Sequence, residues 1–158
     1  EVIAGFARIY PKDDKFKEIF ADKELPVENS RNKKVARYIL CELEHDASGN
    51  RPDYEDGDIS LEHVCPVNPE QGWDQLVDRD IDLISARIGN MTLLAQAANR
   101  EIGNGSYEGK LSAYRESSYK ITSSLADSYP QWNLESVANR QKKMAQKACA
   151  IWRIEQLS

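Results

Sequence analysis

The chain has 158 residues, 41% of them hydrophobic and 30% charged, with a formal net charge of −5 at neutral pH. That length and apolar content suit one globular domain with a real core and exclude a disordered chain. No apolar run reaches the roughly 20 residues that a membrane-spanning helix needs, and no signal-peptide pattern opens the sequence.

Three cysteines, Cys41, Cys65 and Cys149, stand far apart with no CxxC pair. They suggest neither a disulfide framework nor a zinc knuckle, and a cytoplasmic location is the expectation. The chain opens on Glu1 rather than Met, as a piece of a longer protein would. The acidic balance argues mildly against nucleic-acid binding, but it is uneven. Residues 1–99 hold 12 basic and 20 acidic side chains, and residues 100–158 hold 9 and 6. Screening confines each charge to about 8 Å at physiological salt, so a local basic face can still grip phosphate.

Val2, Ile3, Phe6, Ile9 and Tyr10 recur at helical spacing up to Pro11 and predict a helix over residues 1–11. Asp13 to Leu25 carries Phe16, Ile19 and Phe20 on one face, a short amphipathic helix ended by Pro26. Asn29 and Ser30 offer caps for a third helix, with Val35, Tyr38, Ile39 and Leu43 as its buried stripe. Arg31, Lys33, Lys34 and Arg37 crowd its start, where the helix dipole favours negative charge. They read as a solvated helix end, or else as a phosphate-facing surface. His45, between Glu44 and Asp46, reads as surface. Asp46 to Asp58 is a polar loop whose acidic residues lack EF-hand spacing.

Ile59 to Val64 alternates and predicts a strand. Alternation sends Glu62 and His63 to opposite faces, so the strand must bend or end near His63 if both serve one site. Pro66 and Pro69 are consistent with an ending there. An acidic excursion, Glu70 to Arg87, follows, anchored by Trp73 and Leu76. Gly89-Asn90 predicts a turn before a second strand, Met91 to Leu94, paired with the first. Asn99 stands where a helix should begin and, taken alone, reads as its cap. Ser106 caps a helix from Tyr107 to Glu116, with Leu111 and Tyr114 inward and Lys110 near the mouth of the presumed site. A short helix covers Lys120 to Ala126. The last helix runs from Leu134 to about Ile154, with Leu134, Val137, Met144, Ala148 and Ile151 inward and Arg140, Lys142, Lys143 and Lys147 outward.

Glu62-His63-Val64-Cys65-Pro66, then Gly89-Asn90-Met91-Thr92-Leu93-Leu94, then Asn99, form an ordered set. Tyr107-x-x-Lys110, Trp132 and the late helix ending at Ile151-Trp152 extend it. Together they resemble the HNH, or ββα-metal, nuclease superfamily, and more closely the C-terminal nuclease domain of GmrSD-like restriction endonucleases. The resemblance implies an α+β, mostly helical fold. Its ββα-metal core, with a short two-stranded hairpin among helices, would span residues 51–158, and a helical segment over 1–50 would pack on it.

The implied activity is metal-dependent hydrolysis of DNA. His63 would be the general base, Glu62 and Asn99 would hold one Mg²⁺ or Mn²⁺ through hard oxygens, Asn90 would tie down the loop around His63, and Lys110 would neutralise phosphate charge. The implied partners are DNA and an upstream sensing or nucleotide-hydrolysing domain, with phage defence as the setting. The rival expectation is an inactive scaffold of the same fold that binds DNA or protein.

Overall fold

The computed structural model describes residues 10–153, so the helix expected over residues 1–11 lies outside the described residues except at its end. The order of elements is α1 (Asp13–Ala21), α2 (Ser30–Ser48), β1 (Ile59–His63), α3 (Asp78–Ser85), a 3₁₀ turn (Ile88–Asn90), β2 (Met91–Ala95), α4 (Gln96–Ile102), α5 (Tyr107–Glu116), α6 (Lys120–Ser123), α7 (Leu125–Ser128) and α8 (Leu134–Ile151). The fold is thus α+β and mostly helical, with one two-stranded sheet. No helix among the described residues is long and apolar enough to cross a membrane.

The strands pair antiparallel, with Ile59 opposite Ala95, Glu62 opposite Thr92 and His63 opposite Met91. One more rung, from Val64 N–H to the Asn90 carbonyl at 2.9 Å, carries the pairing past the end of β1. Alternation divides the sheet between two cores. Ile59, Met91 and Leu93 pack with Phe20 of α1, Ala36 and Leu40 of α2, and Met144 and Ala148 of α8. Leu94, together with Val64 just beyond β1, packs with Tyr107 and Tyr114 of α5, Leu125 of α7, and Trp132 and Val137.

The start of α2 follows its sequence signals. The Asn29 side chain accepts from Arg31 N–H at 2.8 Å and from Asn32 N–H at 3.4 Å. The helix then runs to Ser48, past the expected loop start, and stops at Gly49 in the left-handed region at φ 80°, which glycine tolerates without strain. Its inward stripe differs from the expected one. Ala36, Leu40, Cys41, Leu43 and Glu44 are buried, whereas Val35 and Tyr38 are both 39% exposed. Glu44 lies inside because its two carboxylate oxygens accept the N–H groups of Lys120 and Ile121, each at 2.9 Å. The carboxylate thereby meets the positive end of α6.

Other boundaries shift for local reasons. Helix α1 ends at Ala21, and Leu25 N–H bonds the Ala86 carbonyl at 2.7 Å instead of continuing the helix. The acidic excursion contains α3, whose first turn holds Asp78 and Asp80 where the dipole welcomes them. The short helix after Lys120 breaks into α6 and α7. On α8, Leu134 is 38% exposed and Arg140 is buried, the reverse of expectation. Arg140 follows Val137 by three residues and precedes Met144 by four, so helical geometry puts it on the core face.

Gly89 shows why the turn before β2 needs glycine. A Cβ there would stand 2.5 Å from the Val137 carbonyl oxygen and 2.9 Å from the Gln141 Cβ. The bare backbone lets Gln141 approach. Its Oε1 accepts from Gly89 N–H and Arg87 Nε, both at 3.0 Å, and its Nε2 donates to the carbonyls of Phe20 and Lys23. One buried amide thus ties the turn to α1.

Candidate active site

A cleft of about 250 Å³ opens where β1 ends, and Glu62, His63, Asn99 and Lys110 line it together with Asn68 and Asn104. The strand delivers Glu62 and His63, α4 delivers Asn99 and α5 delivers Lys110.

Glu62 leaves β1 toward α5. Its Oε1 accepts from Lys110 Nζ and from the Tyr114 hydroxyl, both at 2.7 Å. Lys110 also donates to the carbonyls of His63 at 3.1 Å and Val64 at 3.3 Å. Three acceptors use all three ammonium protons. Lys110 is only 1% exposed, so it lies beneath the cleft rather than at its mouth. Burial raises the Glu62 carboxyl above its ordinary range, and Lys110 and then Tyr114 pull it down. Tyr114 went unnoticed as a site residue; the available signal was its position one turn after Lys110 on the same helix face.

His63 is subject to different neighbours. Burial lowers its pKa, the charge of Lys110 lowers it further, and Glu28 and a backbone hydrogen bond at Ser85 oppose them. Ser85 ends α3, where carbonyls lack helical partners. The ring's Nε2 is buried with no hydrogen-bond partner. Burial and the nearby ammonium thereby favour the neutral ring.

Asn90 is fully buried beneath this loop. Its Oδ1 accepts from Cys65 N–H and from Trp132 Nε1, and its Nδ2 donates to the Cys65 carbonyl, all at 2.9 Å. The amide works as one extra rung of backbone and fixes the chain two residues after His63. Asn99 sits inside α4, whose cap position is Ala95, so it does not cap that helix. Its Nδ2 donates to Ser60 Oγ at 2.5 Å and to the Leu61 carbonyl at 3.4 Å. Both bonds leave its Oδ1 unused.

The oxygens available to a metal ion are therefore Glu62 Oε2 and Asn99 Oδ1, on two residues that line the cleft. Among the described residues no group of three or more His, Cys, Asp and Glu could hold a metal. That donor set does not suit zinc or a calcium cage. It fits Mg²⁺, which keeps several waters and takes one or two protein oxygens plus phosphate.

A small sheet that ends in a polar cleft, with an unpaired imidazole at the strand's end, defines a compact α+β domain with a candidate hydrolytic centre. The chain belongs to the family of GmrSD restriction endonuclease C-terminal domains, whose model matches residues 10–147. That makes it a domain of a nuclease family. No curated protein and no solved structure gives a significant match.

Proposed function

We propose that this domain is a metal-dependent DNA endonuclease of the HNH type, the cutting part of a restriction system that acts against phage. The observation that carries the reading is the buried, unpaired Nε2 of His63 at a cleft it shares with Glu62 and Asn99. The family description supports the substrate class and the setting, and an upstream sensing or nucleotide-hydrolysing domain would select the target.

In this reading His63 takes the proton from the attacking water, and burial with the nearby Lys110 keeps its ring neutral and able to do so. Glu62 and Asn99 would hold Mg²⁺ or Mn²⁺, which when bound supplies charge stabilisation at the phosphate and the departing oxygen. Asn90 keeps the loop after His63 in place. Lys110 holds the Glu62 carboxylate and the backbone at His63 and Val64, a positioning role in place of direct contact with phosphate.

One observation favours a second reading, a binding module without catalysis: Lys110 already occupies an oxygen of Glu62 and competes with any cation for it. Supercoiled plasmid incubated with the domain in Mg²⁺, Mn²⁺ or EDTA separates the two. Cleavage should need the metal and fall by a factor on the order of 10²–10⁴ in His63→Ala, the range of a lost general base. Asn99→Ala should shift the metal titration as well as the rate. A folded protein that leaves the plasmid intact in every metal would support the binding module.

A further inference from the structure

A second cleft of about 220 Å³ lies between the end of α2, the pair α6 and α7, and α8. Arg140, Lys143 and Lys147 line it, with Asp46, Ser124 and Ser128. Arg140 is 5% exposed. Its Nη1 donates to the carbonyls of Gly89 at 2.8 Å and Met91 at 2.6 Å, and its Nη2 is buried with no partner. The ionisable groups that act on its charge are the phenols of Tyr129, Tyr114 and Tyr107, none of them a carboxylate.

A buried guanidinium without a counter-ion is unusual, because desolvating it is expensive and two carbonyls offset only part of that. Burial pulls its pKa down to about 10, still far above neutrality. A trapped water could satisfy Nη2 but not the charge. An anion satisfies both.

We infer that this cleft binds a phosphate group, with Arg140 Nη2 as its buried donor and Lys143 and Lys147 at its rim. The rim is suitably loose. Lys143 rests 5.3 Å from the Tyr129 ring centroid. Lys147 pairs with Asp46 at 3.1 Å, and its side chain is 65% exposed. An arriving phosphate competes with Asp46 for Lys147 and meets a guanidinium that nothing else neutralises. Tetrahedral oxygens suit a charge-assisted bond of this kind, and the hydroxyls of Ser124 and Ser128 can donate to them. The phosphate could belong to a DNA backbone or to a small anion. The assignment stands whether or not the domain cuts DNA.

The test keeps Arg140 in place, since its removal disturbs the turn before β2. Inorganic phosphate, and in a second arm a short DNA duplex, is titrated in EDTA into wild-type protein, into Lys143→Ala/Lys147→Ala and into Asp46→Asn. The Arg140 side-chain NMR signals and the melting temperature are the readouts. Saturable shifts of those signals are expected, with binding weakened about tenfold per lost lysine and tightened in Asp46→Asn. A response to inorganic phosphate assigns the site to small anions as well. A response to the duplex alone assigns it to backbone phosphates. Arg140 signals that move with neither ligand, or affinities unchanged across the three proteins, would overturn the inference.

Discussion

Lys110 and Arg140 are both cations carried by helices into the interior, beside the same two strands. Each donates to a pair of backbone carbonyls beside a residue of the resembled motif, and each has Tyr114 as a neighbour. They differ in what answers the charge. Lys110 meets Glu62 at 2.7 Å and has no proton left over. Arg140 meets only carbonyls and keeps one nitrogen unpaired. A saturated buried cation can only hold other groups still. An unsaturated one retains capacity for a ligand.

The largest effect should follow from breaking the saturated pair. Lys110→Met leaves the Glu62 carboxylate buried beside only a tyrosine hydroxyl. The cost of stranding one partner of a buried ion pair is about 3–5 kcal/mol. A denaturant melt of the metal-free protein reads it directly. Adding Glu62→Leu should recover much of the loss, because the stranded charge goes with it. A double variant as unstable as the sum of the singles would mean that the pair does not act as a unit.

Arg140→Met should be milder, at about 1–2 kcal/mol, although the two substitutions are alike on paper. It leaves the carbonyls of Gly89 and Met91 without a donor, but it also removes an uncompensated charge from the interior. The same melt checks it. A loss as large as that of Lys110→Met would show that Arg140 is compensated after all, and the contrast between the two cations would collapse.

The contrast also marks where sequence reading succeeds. The pairing of Ile59–His63 with Met91–Ala95 was legible because alternation and a short apolar run are local signals. Ser106 was legible as a cap for α5, and its Oγ does accept from Gly109 N–H at 3.1 Å. What failed depended on partners distant in sequence. Arg140 reads as a surface cation until the strand carbonyls that hold it are known, 49 and 51 residues away. Asn99 reads as a cap because its bond to Ser60 spans 39 residues. On α2, Val35 and Tyr38 read as part of the buried stripe, yet Ala36 and Cys41 are buried instead, because small side chains are what close packing admits. Tyr38 instead lies edge-on to Tyr54 and beside Trp152 at the surface.

The smallest effect concerns His63, which sits between the two cations in character, neutral and with one nitrogen free. Its folded pKa is lowered by burial and by Lys110, while the unfolded value stays near 6.5. Above about pH 6.5 the ring is neutral in both states and contributes no pH dependence. Below it the unfolded chain takes a proton that the folded chain refuses, so stability falls as the pH drops toward the folded value and levels off beneath it. Glu62 works in the opposite sense, because its raised carboxyl takes up a proton before the unfolded one does. Subtracting the pH–stability curve of His63→Gln from that of the wild type, both in EDTA, cancels Glu62 and leaves the histidine. The expected difference is a slope confined to the acid side of pH 6.5. A flat difference would mean that the ring protonates in the fold as readily as in water, and that neither burial nor Lys110 acts on it as the structure has it.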